Sequence, residues 1–374
     1  MDGDPISGFD DVADEADHYA EPKPSLLMPL SEVLAFAKKP LPWIIKGHYL
    51  RDSLAQIFGP HKQYKTFVAI DLALSIASGE PFLNTFPVRE QGLVIYVAGE
   101  GSRGVGHRIK AWLDDRELTC EEVFLYQSKG SVPISSPEAA IALRNEIAEL
   151  QAASGMEVIA IVVDTLARNF GEGDENKTPD MNRFITCCDR YLREPFKALV
   201  VLVHHVGHGD GSRGRGSVAL PAACDTSVKV SGSFDAISYE PEFQKDGETP
   251  QSLVLEGELI DVGTDDEGDP IRSIVLRTTD LTPAEAKSDT SNTAILRRVL
   301  GRYPNGATYE QARLDFLDEM TAEATKKGAT PPSDSVSRKK WSRALKQAKN
   351  HADFIVKRDT LGNIKKLAMA QGAA

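Results

Sequence analysis

The sequence predicts an α/β fold built on a central, mostly parallel β-sheet. Five short apolar runs alternate with helical runs between Leu54 and His205, and this alternation is typical of strands joined by crossover helices. The runs are continuously apolar, as in VIAIVVD at 158–164, which indicates strands covered on both faces. The chain has 374 residues, of which 41% are hydrophobic, so we expect a large core and two domains.

The predicted elements of the sheet region follow one another along the chain. Thr178 and Pro179 begin one of the helices with a favourable cap and first turn. After Asp225 the helical runs stop, and three β-type runs predict antiparallel strands at the sheet edge. The predicted elements are a strand at 54–58, a helix at 66–78, a strand at 93–98, a helix at 104–116, a strand at 123–127, a helix at 137–153, a strand at 158–164, a helix at 178–192, a strand at 199–205 and antiparallel strands at 226–230, 252–260 and 273–278.

The C-terminal part of the chain predicts a small second domain. FIVKR and IKKLA flank a turn-rich DTLGN, which predicts a β-hairpin. Helices predicted at 293–301, 308–326 and 335–352 precede it, and the combination is typical of a winged-helix-like domain. The predicted organisation is a disordered acidic tail at 1–25, the α/β domain at 26–280, a polar linker at 281–293 and a basic winged-helix-like domain at 294–374.

The formal net charge of the chain is −12, but the region near the C-terminus has an excess of positive charge. Between Lys326 and Lys366 there are twelve basic residues and three acidic ones, and a basic end on an acidic chain suggests a polyanion-binding module. A spacing of three places Lys340, Arg343 and Lys346 near one helix face, where they could contact phosphates. The alternative is a helical interaction domain whose lysines only keep it soluble. Salt should weaken binding to nucleic acid steeply, whereas a salt-insensitive interaction would indicate a protein partner.

The sequence indicates a cytoplasmic protein without a metal cluster. The N-terminal stretch has eight acidic residues before its first lysine, Lys23, so it lacks the basic and apolar regions of a secretory signal. No apolar run approaches the roughly 18 residues that a membrane helix needs. Cys120, Cys187, Cys188 and Cys224 have no C-x-x-C spacing, so we expect reduced cysteines and no disulfide.

The stretch GPHKQYKTF matches the phosphate-binding pattern G-x-x-x-x-G-K-[ST], except that Tyr64 replaces the second glycine. A β-type run precedes it and a helical run follows it, so its backbone amides would meet an anion at a helix N-terminus. Lys65 would reach the β- and γ-phosphates of a nucleotide. If the backbone at position 64 is already helical, tyrosine costs little there. The residues predicted to contact the nucleotide are Gly59, Pro60, His61, Lys62, Gln63, Tyr64, Lys65, Thr66 and Phe67.

Two carboxylates follow predicted strands. Asp164 ends VIAIVVD, where it would order the shell of a Mg²⁺ that Thr66 also ligates. Glu100 follows LVIYVAG, where it could orient or deprotonate an attacking water. Each has a plainer explanation, since a strand-end Asp is often only a helix cap and Glu100 lies between two glycines. Their combination with the phosphate loop favours an enzyme that binds ATP and Mg²⁺.

His204 and His205 end LVVLVHH before a glycine-rich segment at 207–217. One imidazole could hydrogen-bond the γ-phosphate and report hydrolysis to this segment. The alternative is a pair of strand-end histidines with no catalytic role. Arg213 and Arg215 could contact nucleic acid or the phosphates bound by a neighbouring subunit, or they could form only a solvated basic turn.

Together these motifs resemble the RepA-like AAA-type ATPases of plasmids and phages. The resemblance spans roughly residues 40–280 and is carried by GPHKQYKTFVAIDLALSIASG, VIYVAGEG, VVDTLARNFGEGDENKTPDMNRF, VLVHHVGHGDGSRGRGSVAL and FQKDGE, which occur in the same order at suitable distances. It implies a RecA-like P-loop NTPase fold. It also implies a ring-shaped, hexameric helicase that unwinds DNA at replication.

The resemblance further implies a role for each candidate residue in ATP hydrolysis. An aromatic residue before the loop lysine is acceptable in this family, although it puts affinity and rate in doubt. A basic residue from the next subunit is expected to complete the site. The implied roles are phosphate and Mg²⁺ binding for Lys65 and Thr66, water-mediated Mg²⁺ binding for Asp164, catalysis for Glu100, γ-phosphate sensing for His205 or His204, and completion of a neighbouring site for Arg215, Lys229 or Lys245.

Three functions follow as expectations. The first is an ATP-driven motor on single-stranded or forked DNA, of the replicative helicase kind. The second is a DNA-binding initiator or regulatory ATPase that uses nucleotide as an assembly switch without unwinding. The third is a small-molecule kinase, which is disfavoured because the sequence shows no substrate lid or acceptor-binding residues.

Overall fold

The computed structural model describes residues 27–99, 102–205, 217–234, 236–279 and 295–326, together with parts of 330–369. The predicted tail at 1–25 lies outside the described residues. Contacts divide the chain into two units, Met1–Leu41 and Pro42–Ala374. In the described part of the first unit, helix α1 (Leu30–Ala37) has no buried residue.

Most strands of the second unit belong to one sheet. Two short strands, β1 (Trp43–Ile45) and β2 (Tyr49–Leu50), form a separate two-stranded antiparallel sheet, and Ile45 also forms a β-bridge with Val88. The nine described strands of the large sheet are β3 (Leu54–Gly59), β4 (Leu93–Ala98), β5 (Leu125–Gln127), β6 (Val158–Asp164), β7 (Leu199–His205), β8 (Thr226–Ser233), β9 (Ala236–Gln244), β10 (Leu253–Thr264) and β11 (Pro270–Thr278).

The sheet has the order β11-β10-β9-β8-β3-β7-β6-β4-β5. All pairs from β8 to β5 are parallel, and the pairs among β8, β9, β10 and β11 are antiparallel. The prediction of a mostly parallel sheet with antiparallel strands at one edge is therefore confirmed. Because β3, β7, β6 and β4 are parallel neighbours, their carboxyl ends lie along the same edge of the sheet, where open α/β sheets bind ligands.

Helices cover both faces of this sheet. Residues at alternate positions of β6 belong to different hydrophobic clusters, with Ala160 and Val162 in one and Ile161 and Val163 in the other. Two-sided burial explains why the strand sequences are continuously apolar. The helices of this region are α2 (Lys65–Ser78), α3 (Ser102–Asp115), α4 (Pro137–Ser154), α5 (Leu166–Asn169), α6 (Thr178–Cys187), α7 (Glu194–Phe196) and α8 (Ala219–Ala223).

The helix predicted at 178–192 is not uniform. Its α-helical part, α6, ends at Cys187, and Cys188–Arg193 form a π-helical turn. Pro195 has no N–H to donate to the carbonyl four residues earlier, which favours the wider turn before it. Cys187 and Cys188 are both buried in the cluster between the sheet and α6.

Strand β9 was not predicted from the sequence. It contains Pro241 between two glutamates and lacks an apolar run, and proline normally argues against a central strand. The structure accommodates Pro241 opposite Val228, where the register with β8 shifts. The predicted strands at 252–260 and 273–278 are longer than expected, because β10 and β11 extend toward each other as a hairpin.

A separate hydrophobic cluster lies within residues 295–367. Its described elements are α9 (295–301), β12 (Ala307–Thr308), α10 (Tyr309–Lys326), β13 (Phe354–Arg358) and β14 (Ile364–Met369). Strand β14 pairs antiparallel with both β12 and β13, so the predicted pairing of FIVKR with IKKLA is confirmed. The linker at 281–293 and most of the helix predicted at 335–352 lie outside the described residues, but Trp341 packs on Tyr309 and Phe316.

Two properties of the described part of the chain bear on function. None of its helices combines the length and apolar character required to cross a bilayer. None of its clusters of three or more His, Cys, Asp or Glu side chains has a geometry that could hold a metal ion.

A buried carboxylate ties α2 to α3. Asp71 is 2% exposed, and it accepts hydrogen bonds from the Leu83 N–H at 2.7 Å and from the Trp112 indole at 2.9 Å. The Arg116 guanidinium lies 3.4 Å from the same carboxylate. Burial raises the pKa of Asp71, and the positive charge of Arg116 opposes that shift. The helix that begins at the phosphate loop is thereby fixed to the helix that follows β4.

We expect Asp71→Asn to lower the free energy of unfolding by about 2–3 kcal/mol. The asparagine NH₂ group would face one of the N–H donors that now bind the carboxylate, and that donor would lose its acceptor. Asp114→Asn is the matched control. Asp114 makes an exposed pair with Lys110 at 2.8 Å, and its loss should cost less than about 1 kcal/mol. Urea unfolding monitored by tryptophan fluorescence measures both changes, and equal midpoints for the two variants would contradict this account.

Candidate nucleotide-binding site

The phosphate loop joins β3 to α2 at the carboxyl edge of the sheet. Gly59 ends β3, and a Cβ atom there would lie 1.9 Å from the Val230 carbonyl oxygen of the adjacent strand β8. Only glycine permits this approach, so the loop leaves the sheet beside β8. Gln63 then accepts a hydrogen bond from the Gly232 N–H at 3.0 Å, which fixes the loop to the C-terminal end of β8.

A cavity of about 310 Å³ opens at the N-terminus of α2. The helix begins at Lys65 and runs for 14 residues, so its positive dipole end and first amides are directed at the cavity. An anion is therefore favoured there. The cavity is lined by His61, Lys62, Gln63, Tyr64, Lys65, Thr66, Phe67, Val105, Arg108, Asp164, Thr165 and His205.

Lys65 lies at the base of this cavity. Its side chain is 4% exposed, and Nζ donates a 2.6 Å hydrogen bond to the Pro60 carbonyl across the loop. Burial lowers the pKa of Lys65 to about 8, and the negative charge of Asp164 opposes that shift. A phosphate at the helix N-terminus would supply the negative charge that a buried ammonium needs.

Tyr64 has a backbone conformation that the sequence did not predict. Its φ is 48° and its ψ is 5°, which is the left-handed region, and α2 begins only at the next residue. The expectation that tyrosine costs little because position 64 is already helical is therefore wrong. A non-glycine residue in this region costs about 1 kcal/mol. The glycine of the usual pattern would relieve that cost.

Asp164 is placed by the pairing of three strands. It ends β6, and it is opposite Ala98 of β4 and Val203 of β7 in the parallel register. The carboxylate is 7% exposed and accepts a 2.6 Å hydrogen bond from the Tyr96 hydroxyl of β4. This bond fixes the orientation of the carboxylate beside the phosphate loop.

The oxygen atoms of Thr66 and Asp164 fit a magnesium nucleotide. Both side chains line the same cavity, one from α2 and one from β6. Mg²⁺ prefers hard oxygen ligands, and it is usually held by one or two protein groups together with substrate phosphates and water. Two oxygen donors beside Lys65 at a helix N-terminus have this character. No larger cluster of protein ligands is required.

The two histidines at the end of β7 differ in position. His205 lies opposite Gly59 in the parallel register and lines the cavity, where its ring is 5.2 Å from that of His61. His204 is 1% exposed, lies opposite Phe58 and does not line the cavity. Side chains alternate between the faces of a strand, so only one of the pair can face the loop. The geometry favours His205 for a contact with nucleotide.

Several candidate residues are not brought to the cavity by the described chain. Glu100, Arg213 and Arg215 lie outside the described residues, although the Gly99 N–H donates to the Asp164 carbonyl at 2.6 Å immediately before Glu100. Lys229 is on β8 opposite Phe58 and does not line the cavity.

Lys245 lies at the opposite edge of the sheet from the phosphate loop. Its ammonium pairs with Asp225 at 3.0 Å, and the Asp225 N–H donates to the carbonyl of Leu54, the first residue of β3. The cavity is at the other end of β3. A role for Lys245 in nucleotide binding therefore requires a second subunit.

The structure adds residues that the sequence did not single out. Tyr96 orients Asp164, and its hydroxyl in an otherwise apolar strand was a signal that could have found it. Val105 and Arg108 of α3 and Thr165 after β6 line the cavity. In the sequence, Arg108 looks like any solvent-exposed arginine of a helix, so no pattern identified it as a site residue.

The described cavity combines the groups that bind a nucleoside triphosphate: a helix N-terminus, a buried lysine, a hydroxyl and a fixed carboxylate. A family model described as an AAA domain matches residues 21–211, which is slightly more than half of the chain and includes the phosphate loop, Asp164 and His205. No curated protein matches the chain. The mostly parallel sheet fits a RecA-like P-loop fold, and the chain belongs to the AAA domain family of P-loop ATPases.

Proposed function

We propose that this protein is an ATP-hydrolysing motor on single-stranded or forked DNA, similar to the RepA-like replicative helicases. The observation that supports it most directly is the convergence of Lys65, Asp164 and His205, from α2, β6 and β7, on one cavity. The resemblance of the motifs to that helicase family supplies the link from ATP to DNA. Assembly into a hexameric ring, which the resemblance implies, is part of the proposal.

Within this proposal the phosphates of ATP lie at the N-terminus of α2. Lys65 binds the β- and γ-phosphate oxygens, and Thr66 and Asp164 hold Mg²⁺, which when bound neutralises developing charge on the phosphates. Tyr96 keeps the Asp164 carboxylate in position by its 2.6 Å hydrogen bond. Glu100 accepts a proton from the attacking water. The Gly99 bond to the Asp164 backbone supports this role, because it holds the chain immediately before Glu100 beside β6.

In this proposal, β7 couples ATP hydrolysis to movement of the segment that contacts DNA. His205 lines the cavity and is the last residue of β7, and the glycine-rich segment with Arg213 and Arg215 follows it in the sequence. A hydrogen bond from His205 to the γ-phosphate would be lost when the phosphate leaves. We propose that this loss moves the following segment, which contacts the DNA backbone through its arginines. A basic residue of the next subunit completes the site.

The second candidate is a DNA-binding ATPase that uses nucleotide as an assembly switch. The small cluster that contains α9, α10 and the β13–β14 hairpin favours it, because Arg338, Lys357 and Lys365 are exposed there and could contact phosphates if the predicted winged-helix-like domain binds DNA. The two candidates share the ATP site. They differ in whether hydrolysis separates strands.

The first test compares ATP hydrolysis and strand separation on a forked duplex. We expect Lys65→Ala and Glu100→Gln each to lower hydrolysis about 100-fold or more, because one removes charge stabilisation and the other the base. Lys110→Ala is the matched control, since this lysine is exposed on α3 and makes only a surface ion pair with Asp114.

The outcomes separate the candidate functions. Single-stranded DNA that stimulates hydrolysis together with strand separation supports the motor. Hydrolysis and DNA binding without strand separation support the switch. Transfer of phosphate to a small acceptor, or an unchanged rate in Lys65→Ala, would contradict both.

The second test is the pH dependence of ATP affinity. Lys65 has a pKa lowered to about 8, and bound phosphate stabilises its charged form, so the proton must be taken up on binding above that pH. We expect affinity to fall about tenfold from pH 8.5 to pH 9.5 in calorimetric titrations. Lys65→Ala should bind more weakly and show no such fall. A wild-type affinity that is constant over this interval would contradict the proposed role of Lys65.

A further inference from the structure

One wall of the nucleotide cavity is made by side chains that phosphate chemistry does not need. Tyr64 immediately precedes α2 and Phe67 lies in its first turn, with two residues between them; their ring centroids are 6.0 Å apart and their planes are tilted by 43°. The Arg108 guanidinium of α3 lies 4.8 Å from the centre of the Phe67 ring. All three side chains line the cavity together with the phosphate loop. They are called the aromatic wall below.

The aromatic wall is supported from behind. Tyr64 and Phe67 are half-buried and pack against the hydrophobic cluster between α2 and the sheet. Val105 of α3 is 4% exposed and adds apolar surface to the same cavity. Rings that pack against the core on one side and line a cavity offer an apolar surface with little freedom to lose on binding.

The wall lies on the side of the cavity that is formed by the start of α2 and by α3. Asp164, Thr165 and His205 lie at or just after the ends of β6 and β7, whereas Tyr64 immediately precedes α2, Phe67 belongs to α2 and Arg108 belongs to α3. Phe67 is only two residues beyond Lys65. A ligand whose phosphates are bound by Lys65 would therefore pass along the Phe67 ring if its other end reached α3. A nucleoside triphosphate has such a second part, namely the base and sugar.

We propose that Tyr64, Phe67 and Arg108 form the surface that binds the purine ring of the nucleoside triphosphate. This inference rests on the proposed nucleotide site. A purine has a large π-face, which stacks on aromatic rings, and ring nitrogens that accept hydrogen bonds from a guanidinium. A pyrimidine offers a smaller face, so the wall selects purine over pyrimidine triphosphates.

The same proposal explains why tyrosine stands where the phosphate-loop pattern has glycine. The left-handed backbone of Tyr64, with φ of 48°, is unfavourable for tyrosine and suited to glycine. Glycine would have no side chain for the wall. The chain keeps an unfavourable backbone at this position because the ring contributes to base binding.

The test uses two ligands, ATP and inorganic tripolyphosphate, which has the phosphates without the base. We expect Phe67→Leu and Arg108→Gln to weaken ATP binding about tenfold in calorimetric titrations, as loss of a stacked or cation–π contact does. Affinity for tripolyphosphate should stay within about twofold in Phe67→Leu, because this change removes a stacking surface and no charge. Arg108→Gln should weaken tripolyphosphate binding less than ATP binding, since the guanidinium attracts phosphate in both ligands but contacts the base only in ATP. The preference for ATP over UTP should fall in both variants. Lys110→Gln, an exposed change on the same helix, is the control and should leave all affinities unchanged.

Tyr64→Gly gives a sharper result, because its two effects have opposite signs. Glycine relaxes the loop, so tripolyphosphate should bind as well as or better than to the wild type. ATP should bind more weakly because the ring is lost. Phe67→Leu keeps an apolar side chain against the hydrophobic cluster behind the wall, and thermal melts identify any variant that fails to fold.

The outcomes distinguish this inference from the nucleotide site itself. Equal losses for ATP and tripolyphosphate would overturn the inference, since the wall would then only shape the phosphate loop. Unchanged ATP affinity in all three variants would also overturn it. In both cases, binding of ATP and tripolyphosphate by the wild type would still support the proposed nucleotide site. If the wild type bound neither ligand, the nucleotide site and the inference would fail together.

Discussion

The parallel register of four central strands is the constraint on which the candidate site depends. Pairing of β3 with β7 sets Gly59 beside His205, and pairing of β6 with β4 sets Asp164 beside Ala98. Each strand is buried on both faces, so a shift by one residue would move apolar side chains into the wrong cluster. The burial that stabilises the sheet therefore also determines which side chains meet at its carboxyl edge.

Much of this arrangement could be predicted from the sequence, because the strands are marked by continuous apolar runs. The run at 158–164 became β6 with the same bounds, and 199–205 became β7. The phosphate loop was recognised from its lysine, its first glycine and its place between strand and helix. Strand β9 was missed because Pro241 and its neighbouring glutamates conceal a strand whose partners supply its stability.

The remaining details could not be predicted because they depend on distant contacts. The sequence left His204 and His205 as alternatives, since the two-residue period of a strand does not say which face meets the loop. The left-handed backbone at Tyr64 is imposed by the geometry between β3 and α2. Arg108 reaches the cavity only because α3 packs beside α2, where Trp112 donates to the buried Asp71. No local pattern identifies such a residue.

The central claim is that a magnesium triphosphate is held between the N-terminus of α2 and the carboxylate at the end of β6. A crystal structure with a slowly hydrolysed ATP analogue and Mn²⁺ tests it most directly, because the anomalous signal of Mn²⁺ locates the metal. We expect phosphates along residues 59–66, Lys65 on the β- and γ-phosphates, and the metal between the Thr66 hydroxyl and Asp164. Nucleotide bound elsewhere, or a metal remote from both side chains, would contradict it.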